Sequence, residues 1–515
     1  MNIKIDINAK TTPTDYSWQF GLGADHAAQF RRTDMVEQLR YACREIGFQR
    51  VRFHGIFDDD LASYTTLRTL SASPQGKCPV YEQNFRQVGV VLDNVLSCGA
   101  EPFIELSFMP QALASGKKQG LRYPNNITPP GDYHKWADYV TAFIRFLFDR
   151  YGQERVESWY FEVWNEPDLG IFFAGKQSDY FKLYEATARA LKACSPRLRV
   201  GGPSTSACRW IPEFRTFCRQ NNVPLDFLST HHYPGDGFGN SVNAGNIVSI
   251  AKTALSAWKK GRPLEETLEK MFYDAERAAQ VPKGTVTKLD DELLAQAGDM
   301  PTFLTEWNSM AIFAAPVHDE KYSAAFAFKT VLDLDGRLGG YMFWCLSDIF
   351  EEQVQLNRPF CGGFGLLTID GIPKPNFWAF KLLSKLCPNR LETPFRANTP
   401  VEYAAFRDGN RVQVAVYAQD NDPRHDQAFA VDMELNGEAA FAEVEIIDSA
   451  HCNPKAVWQE LGSPDYLHPD QVPQIKAQTC LRAEEIPLTA ENGVTRLSCS
   501  LRTNDIHLYT FTLKE

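Results

Sequence analysis

Apolar positions along the chain alternate between two kinds of segment. Short, mostly continuous apolar runs rich in β-formers occur at Phe20 to Asp25, Val51 to Ile56, Pro102 to Ser107, Trp159 to Trp164, Leu198 to Pro203, Leu225 to Tyr233, Thr302 to Trp307 and Gly340 to Leu346. Between them lie longer amphipathic stretches, among them Thr33 to Ile46, Tyr133 to Tyr151, Asp179 to Cys194 and Lys321 to Asp335. In Tyr133 to Tyr151, the residues Trp136, Val140, Phe143, Ile144, Leu147 and Phe148 recur at steps of three and four, which is one buried helix face. Continuous apolar runs are what parallel strands covered on both sides require. Eight strands alternating with helices over about 350 residues predict an α/β fold, a (β/α)8 TIM barrel. A doubly wound open sheet would give the same alternation.

Two regions depart from this rhythm. Asp236 to Met300, between the sixth and seventh runs, is long, polar and rich in helix formers, and reads as a helical insertion decorating the barrel. A long barrel helix plus a loop would look similar. After about Leu386 the period drops to two. VEYAAFRDGNRVQVAVYAQ alternates around Asp408-Gly409-Asn410 and predicts a hairpin, and similar runs occur at Ala442 to Ile447 and Arg496 to Leu513. These predict an antiparallel β-sandwich domain. The opening Asn2 to Ile7 alternates too and could complete it. The expected division is a catalytic barrel over 14–355, with the insertion near 236–300, and a sandwich formed by 1–13 plus 356–515.

Composition narrows the function. The 515-residue chain is 44% hydrophobic and 23% charged, ordinary for a globular protein too long for a single small core. A net charge of −11 argues against a nucleic-acid partner, because phosphates need a basic face. No apolar run approaches a membrane span, and the N-terminus lacks the apolar core of a signal peptide. The twelve cysteines are scattered without a CxxC pair, as for reduced thiols in a cytoplasmic protein. Aromatics reach 12%. They suit sugar faces, but large cores use them as well.

The chemistry gathers at strand ends. Trp159-Tyr-Phe-Glu-Val-Trp-Asn-Glu-Pro closes the fourth run, leaving Asn165 and Glu166 at the C-terminal end, the active face of a barrel. Partial burial there would raise the pKa of Glu166 and let it act as a proton donor, and the Asn165 amide could bind a sugar hydroxyl. Phe303-Leu-Thr-Glu-Trp-Asn closes the seventh run in the same way with Glu306. Two carboxylates facing each other across a barrel mouth are the machinery of a glycosidase, retaining at about 5–5.5 Å separation and inverting at roughly 6.5–9.5 Å. Ser229-Thr-His-His-Tyr ends the sixth run, with His231 and Tyr233 on one side of the strand, where His231 could bond a sugar hydroxyl or the nucleophile and Tyr233 could bond the nucleophile and keep it ionised. No third ligand group accompanies the His pair, so no metal is expected. His54, beside Gly55, suggests a sugar contact where a ligand could approach. Trp344 could form a floor under the ring, and Glu351 and Glu352 follow in the next loop. Arg52 is the cation beside these motifs and is expected to point away from His54.

These motifs resemble glycoside hydrolase family 39, close to its bacterial β-xylosidases. The likeness covers nearly the whole chain. It includes Arg52-Phe-His-Gly-Ile-Phe-Asp-Asp, Phe108-Met-Pro-Gln-Ala-Leu-Ala-Ser-Gly, Thr128-Pro-Pro-Gly-Asp-Tyr, Pro316-Val-His-Asp, Ser347-Asp-Ile-Phe-Glu-Glu and Gly362-Gly-Phe-Gly-Leu-Leu-Thr. The resemblance implies a retaining double displacement on β-xylosides, with Glu166 as acid/base and Glu306 as nucleophile. It implies that His54, Asn165, Phe172, His231, Tyr233, Trp344, Glu351 and Glu352 line the xylose subsite. It also implies a sandwich packed on the barrel, no cofactor or metal, xylo-oligosaccharide or aryl β-xyloside substrates, and frequent homo-oligomers. The chain departs from the family pattern in a longer Asp236 to Met300 segment, at Leu121-Arg-Tyr, and at Cys361 where a His is expected. Rival readings are another specificity on the same machinery (β-glucosidase, arabinosidase or α-L-iduronidase), a transglycosylase, or a non-catalytic sugar-binding protein. The expected orientation of Arg52 counts against an iduronidase, which needs a cation for the uronate.

Overall fold

The computed structural model describes residues 1–64, 83–234, 259, 283–311, 313–334, 336–353, 356, 358–394 and 398–514. Eight parallel strands close a barrel in sequence order: Gly21–His26, Arg50–His54, Glu101–Leu106, Tyr160–Val163, Arg199–Thr205, Phe227–His232, Thr302–Trp307 and Gly340–Phe343. Each falls on one of the eight apolar runs, and closure excludes the open-sheet alternative. The last strand pairs in parallel with the first. Outside the barrel, the helix Tyr133–Tyr151 buries Trp136, Val140, Phe143, Ile144 and Leu147, as its spacing predicts. Its start is fixed by Asp132, whose carboxylate accepts from the backbone N–H groups of His134 and Lys135, a cap worth ~1 kcal/mol.

Period-two alternation decides what the barrel encloses. Phe20, Phe103, Tyr160, Phe227, Phe303 and Met342 meet at the N-terminal end as an aromatic plug. The Phe20 and Phe303 ring centroids lie 4.8 Å apart, and the Arg50 guanidinium lies 4.4 Å from the Phe20 centroid. Two residues further along the strands, inward positions become Arg52, Glu105, Glu162, Ser229 and Thr305, all buried. Another step brings His54, His231 and Trp344. The interior thus runs from apolar floor to ionic middle to a mouth lined by His54, His231 and Trp344.

The β-rich remainder forms two sheets. One has the order Asn2–Ile5, Ala428–Leu435, Val494–Arg502, Thr489–Glu491; the other runs Ala483–Glu485, Ala439–Ile447, Ile506–Leu513, Arg411–Tyr417, Glu402–Asp408, Asn389–Leu391, Thr11–Pro13. Ile3, Ile5, Val414, Val431, Met433 and Phe511 belong to the core they share. The opening strand joins this unit, but pairs in parallel with Ala428–Leu435, not antiparallel. The helix Pro375–Ser384 lies beyond the expected end of the barrel at 355, yet its Phe377, Phe380 and Leu383 join the barrel core, with Phe380 packed on Trp18 and Phe343. Continuous apolar faces such as this belong where the most apolar surface is buried. Of the expected insertion, residues 236–258 and 260–282 lie outside the described residues; Thr285–Ala297 is a helix. Among the described residues, no helix is long and apolar enough to cross a membrane.

Candidate active site

Glu166 follows the fourth strand on a turn in which Trp164 and Glu166 both take positive φ, 72° and 39°. Such a conformation is uncommon for residues other than glycine and holds only where neighbours impose it. Here the Glu166 backbone N–H donates to the Ser204 carbonyl at 2.9 Å. Glu306 reaches the mouth by a different device. Thr305 faces inward, with its hydroxyl on Glu162 at 2.9 Å, so simple alternation would turn Glu306 outward. The register with the sixth strand shifts there, from Thr230 opposite Leu304 to His231 opposite Glu306. An extra residue in a ladder re-aims the side chain that follows it.

A carboxylate oxygen of Glu166, one of Glu306 and a ring nitrogen of His231 lie within 4.8 Å of one another. So close an approach lies on the side of the retaining spacing, about 5–5.5 Å between carboxyl groups, and not of the roughly 6.5–9.5 Å an inverting pair keeps. The Tyr233 hydroxyl donates to Glu306 Oε2 at 2.8 Å. His231 Nδ1 stands 2.9 Å from Glu166 Oε1 and 3.5 Å from Glu306 Oε2, so it lies between the two carboxylates and nearer Glu166. Burial, reinforced by Arg52 and His54, keeps His231 well below the usual histidine pKa and therefore neutral.

Arg52 corrects the sequence reading. It lies two residues from His54, so both point into the barrel. Its fully buried guanidinium is 2.6 Å from Glu162, 2.7 Å from Glu105 and 2.7 Å from Glu306 Oε1, and it donates to Asn165 Oδ1 at 2.9 Å. Burial works against its charge, but Glu162, Glu105 and Glu306 outweigh burial and raise its pKa. For Glu306, burial pushes the carboxyl above its ordinary value, while Arg52, His54 and the Tyr233 hydrogen bond pull it back. Glu105 and Glu162 were absent from the sequence-based site, although an acidic residue inside an apolar strand has to find a cation when buried. That signal stands in PFIEL and YFEV.

His54 is held neutral by burial. Its Nδ1 lies 2.7 Å from Glu105, and its Nε2 faces Glu306 at 3.6 Å and Glu352 at 3.8 Å. Gly55 serves this wall, not a ligand: at φ 67°, a Cβ there would fall 1.9 Å from Asp58 Oδ2. Trp344 packs 4.6 Å from His54, centroid to centroid, above Gly23, where a Cβ would come within 2.4 Å of the indole. Phe172 is buried with its ring 6.5 Å from His54. Glu352 is buried, and burial together with Asp25, Glu306 and Glu105 raises its pKa well above the carboxylate range. Its Oε1 has no hydrogen-bond partner among the described residues. Glu351 stands nearer the rim, 3.7 Å from Arg32, with its backbone N–H on Asp25. Its loop is anchored beneath by Lys374, whose buried ammonium meets Asp348 at 2.6 Å and Asp319 at 2.7 Å.

The donor geometry suits hydrogen bonding better than a cation. Arg52 and Tyr233 each occupy one oxygen of Glu306. A second group, Asp448, Asp505 and His507, is likewise engaged: Lys321 holds Asp505 Oδ1 at 2.6 Å, and the His451 N–H holds Asp448 Oδ1 at 2.7 Å.

The sequence model of Glycosyl hydrolases family 39 matches residues 1–276 and 265–493. The chain belongs to this family. The family 39 enzyme is 37% identical over 492 residues to a β-xylosidase of Caldicellulosiruptor saccharolyticus, covering 94% of this chain and 93% of that one. It is 30% identical over 512 residues to a β-xylosidase of Geobacillus stearothermophilus, covering 96% and 92%. A solved family 39 β-xylosidase from Caulobacter crescentus superposes with a TM-score of 0.77 at 28% identity, covering 99% of each chain. This family 39 chain is therefore a retaining glycoside hydrolase.

Proposed function

We propose that the protein is an exo-acting β-xylosidase that releases xylose from the non-reducing end of β-1,4-xylo-oligosaccharides. In this reading Glu306 attacks the anomeric carbon while Glu166 gives its proton to the departing glycosidic oxygen. Glu166, now a carboxylate, then takes a proton from water, whose oxygen displaces Glu306 and frees the sugar. The observation carrying the reading is the close approach of the Glu166 and Glu306 carboxylates at the barrel mouth. His54, Asn165, Phe172, His231, Tyr233, Trp344, Glu351 and Glu352 would bind the xylosyl unit. The barrel of residues 14–355 would act as the catalytic unit, with the β-rich remainder as its support.

Neutral sugar suits this pocket. The charge of Arg52 is taken up by Glu105, Glu162 and Glu306, so it is not free to pair with a uronate carboxylate. The names of its relatives favour xylosides over glucosides or arabinosides. We further propose a role in xylan breakdown, a cytoplasmic location and assembly into homo-oligomers, in keeping with buried thiols such as Cys98, Cys218 and Cys345 that carry no disulfide. Xylobiose hydrolysis followed by NMR tests the reading: β-xylose should appear first and mutarotate later. First release of the α-anomer, or cleavage of nitrophenyl glucosides but not xylobiose, would overturn it.

A further inference from the structure

Asp168 is a buried carboxylate to which the chemistry above gives no task. Its side chain is 1% exposed. Oδ1 accepts from the Ser206 backbone N–H at 2.9 Å and Oδ2 from the Ser206 hydroxyl at 2.6 Å. Arg209 stands off at 3.8 Å. Asp168 belongs to the turn Glu166-Pro167-Asp168-Leu169, closed by Leu169 N–H to the Glu166 carbonyl at 2.9 Å.

Ser206 opens the segment after the fifth strand, and the end of that strand and the segment beyond it are strained. Ser204, Ala207, Cys208 and Trp210 all have positive φ, from 49° to 65°. The segment is pinned on its far side by Cys208 N–H on the Thr230 hydroxyl at 3.0 Å. On its near side the Ser204 carbonyl receives the Glu166 N–H. Two segments in unfavourable conformations therefore lean on each other, and such strain persists only while its surroundings impose it. Direct bonds between them include the Glu166 to Ser204 backbone contact and the two Asp168 to Ser206 bonds, while Arg52 bridges Asn165 Oδ1 and Ser204 Oγ and His231 bridges Glu166 Oε1 and Ser204 Oγ.

We propose that Asp168 is a positioning residue for the proton donor: by clamping Ser206 it holds the end of the fifth strand, at Ser204, against the Glu166 turn and so fixes the left-handed backbone that aims the Glu166 carboxyl. Without the clamp the turn relaxes and the carboxyl swings out of line with the glycosidic oxygen. Small misplacements of a catalytic group cost large factors in rate. The inference rests on Glu166 being the acid/base.

A positioning role has a signature that loss of packing lacks. Protonation of the leaving group matters for poor leaving groups and little for activated ones. The test is kcat/KM of Asp168→Ala, Asp168→Asn and Ser206→Ala on xylobiose and on dinitrophenyl β-xyloside, with thermal unfolding in parallel. Asp168→Ala should lose roughly 10–100-fold on xylobiose and only about 3-fold or less on the activated glycoside. Asp168→Asn should recover most of the loss, because its amide oxygen still accepts from the Ser206 N–H and its amino group can donate to the hydroxyl. Ser206→Ala, which keeps the backbone bond, should fall between. If Asp168→Ala does not fold, the pattern across Asp168→Asn and Ser206→Ala decides. Equal losses on both substrates, or none on either, overturn the proposal. Glu166→Ala measured alongside separates the two claims: if it shows the leaving-group split and Asp168→Ala does not, only the clamp fails; if it shows none, the acid/base assignment fails first.

Discussion

Tyr233→Phe removes one hydroxyl that donates to Glu306 Oε2 at 2.8 Å and leaves the Arg52 contact to Oε1 intact. In the proposed mechanism Glu306 must be ionised to attack. Burial raises the Glu306 pKa, and the Tyr233 bond is one of the interactions that lower it. A hydrogen bond to a charged group contributes about 1.5–3 kcal/mol. Losing the bond should therefore raise the Glu306 pKa further and disfavour its ionised form by roughly 10- to 100-fold. Raising the pKa of a group needed as its anion moves the acid limb of the profile upward. The assay is kcat/KM for nitrophenyl β-xyloside against pH, which reports groups of the free enzyme. The acid limb should move to higher pH while the basic limb stays, narrowing the bell and lowering its peak. An acid limb that stays put, or moves down, refutes the reasoning.

Other perturbations read other parts of the account. Glu166→Ala should lose roughly 10²–10⁴-fold on poor leaving groups and less on activated aryl xylosides, with azide restoring turnover as the xylosyl azide; loss independent of leaving group would contradict it. Arg52→Met strands Glu105, Glu162 and Glu306 without their shared cation, so chemical denaturation should find it destabilised by about 3–5 kcal/mol besides losing activity. Lys374→Met strips Asp319 and Asp348 of their ammonium, with a similar expected cost of about 3–5 kcal/mol and a rise in KM, because the loop beyond Asp348 carries Glu352. Unchanged stability in either variant would contradict the buried-network reading.

Much of the barrel was legible because its strands are short, apolar and evenly interrupted by amphipathic helices. The two glutamates were legible for the same reason: each ends such a strand beside aromatics. What escaped depended on parity and on partners far along the chain. Arg52 and His54 differ by two, so period-two alternation already puts them on one face; the error was to treat the arginine as turned outward. Glu105 and Glu162 looked like interruptions of apolar runs, and only the fold reveals that Arg52 lies between them. Glu306 breaks alternation through an irregular register that no local pattern announces. His231 pairs with Glu166 through a contact between two strand ends, which spacing does not encode. The helix Pro375–Ser384 falls beyond the expected barrel end at 355, although its own apolar face packs into the barrel core.

The claim everything depends on is that Glu306 bonds to the sugar. The most direct measurement is intact and peptide mass spectrometry after incubation with a 2-fluoro β-xyloside carrying a dinitrophenolate leaving group, which slows release of the glycosyl-enzyme. The account predicts one fluoroxylosyl adduct per chain, on the peptide containing Glu306, and none on the Glu306→Ala variant. An adduct on any other residue, or turnover of the reagent with no adduct at all, would contradict it.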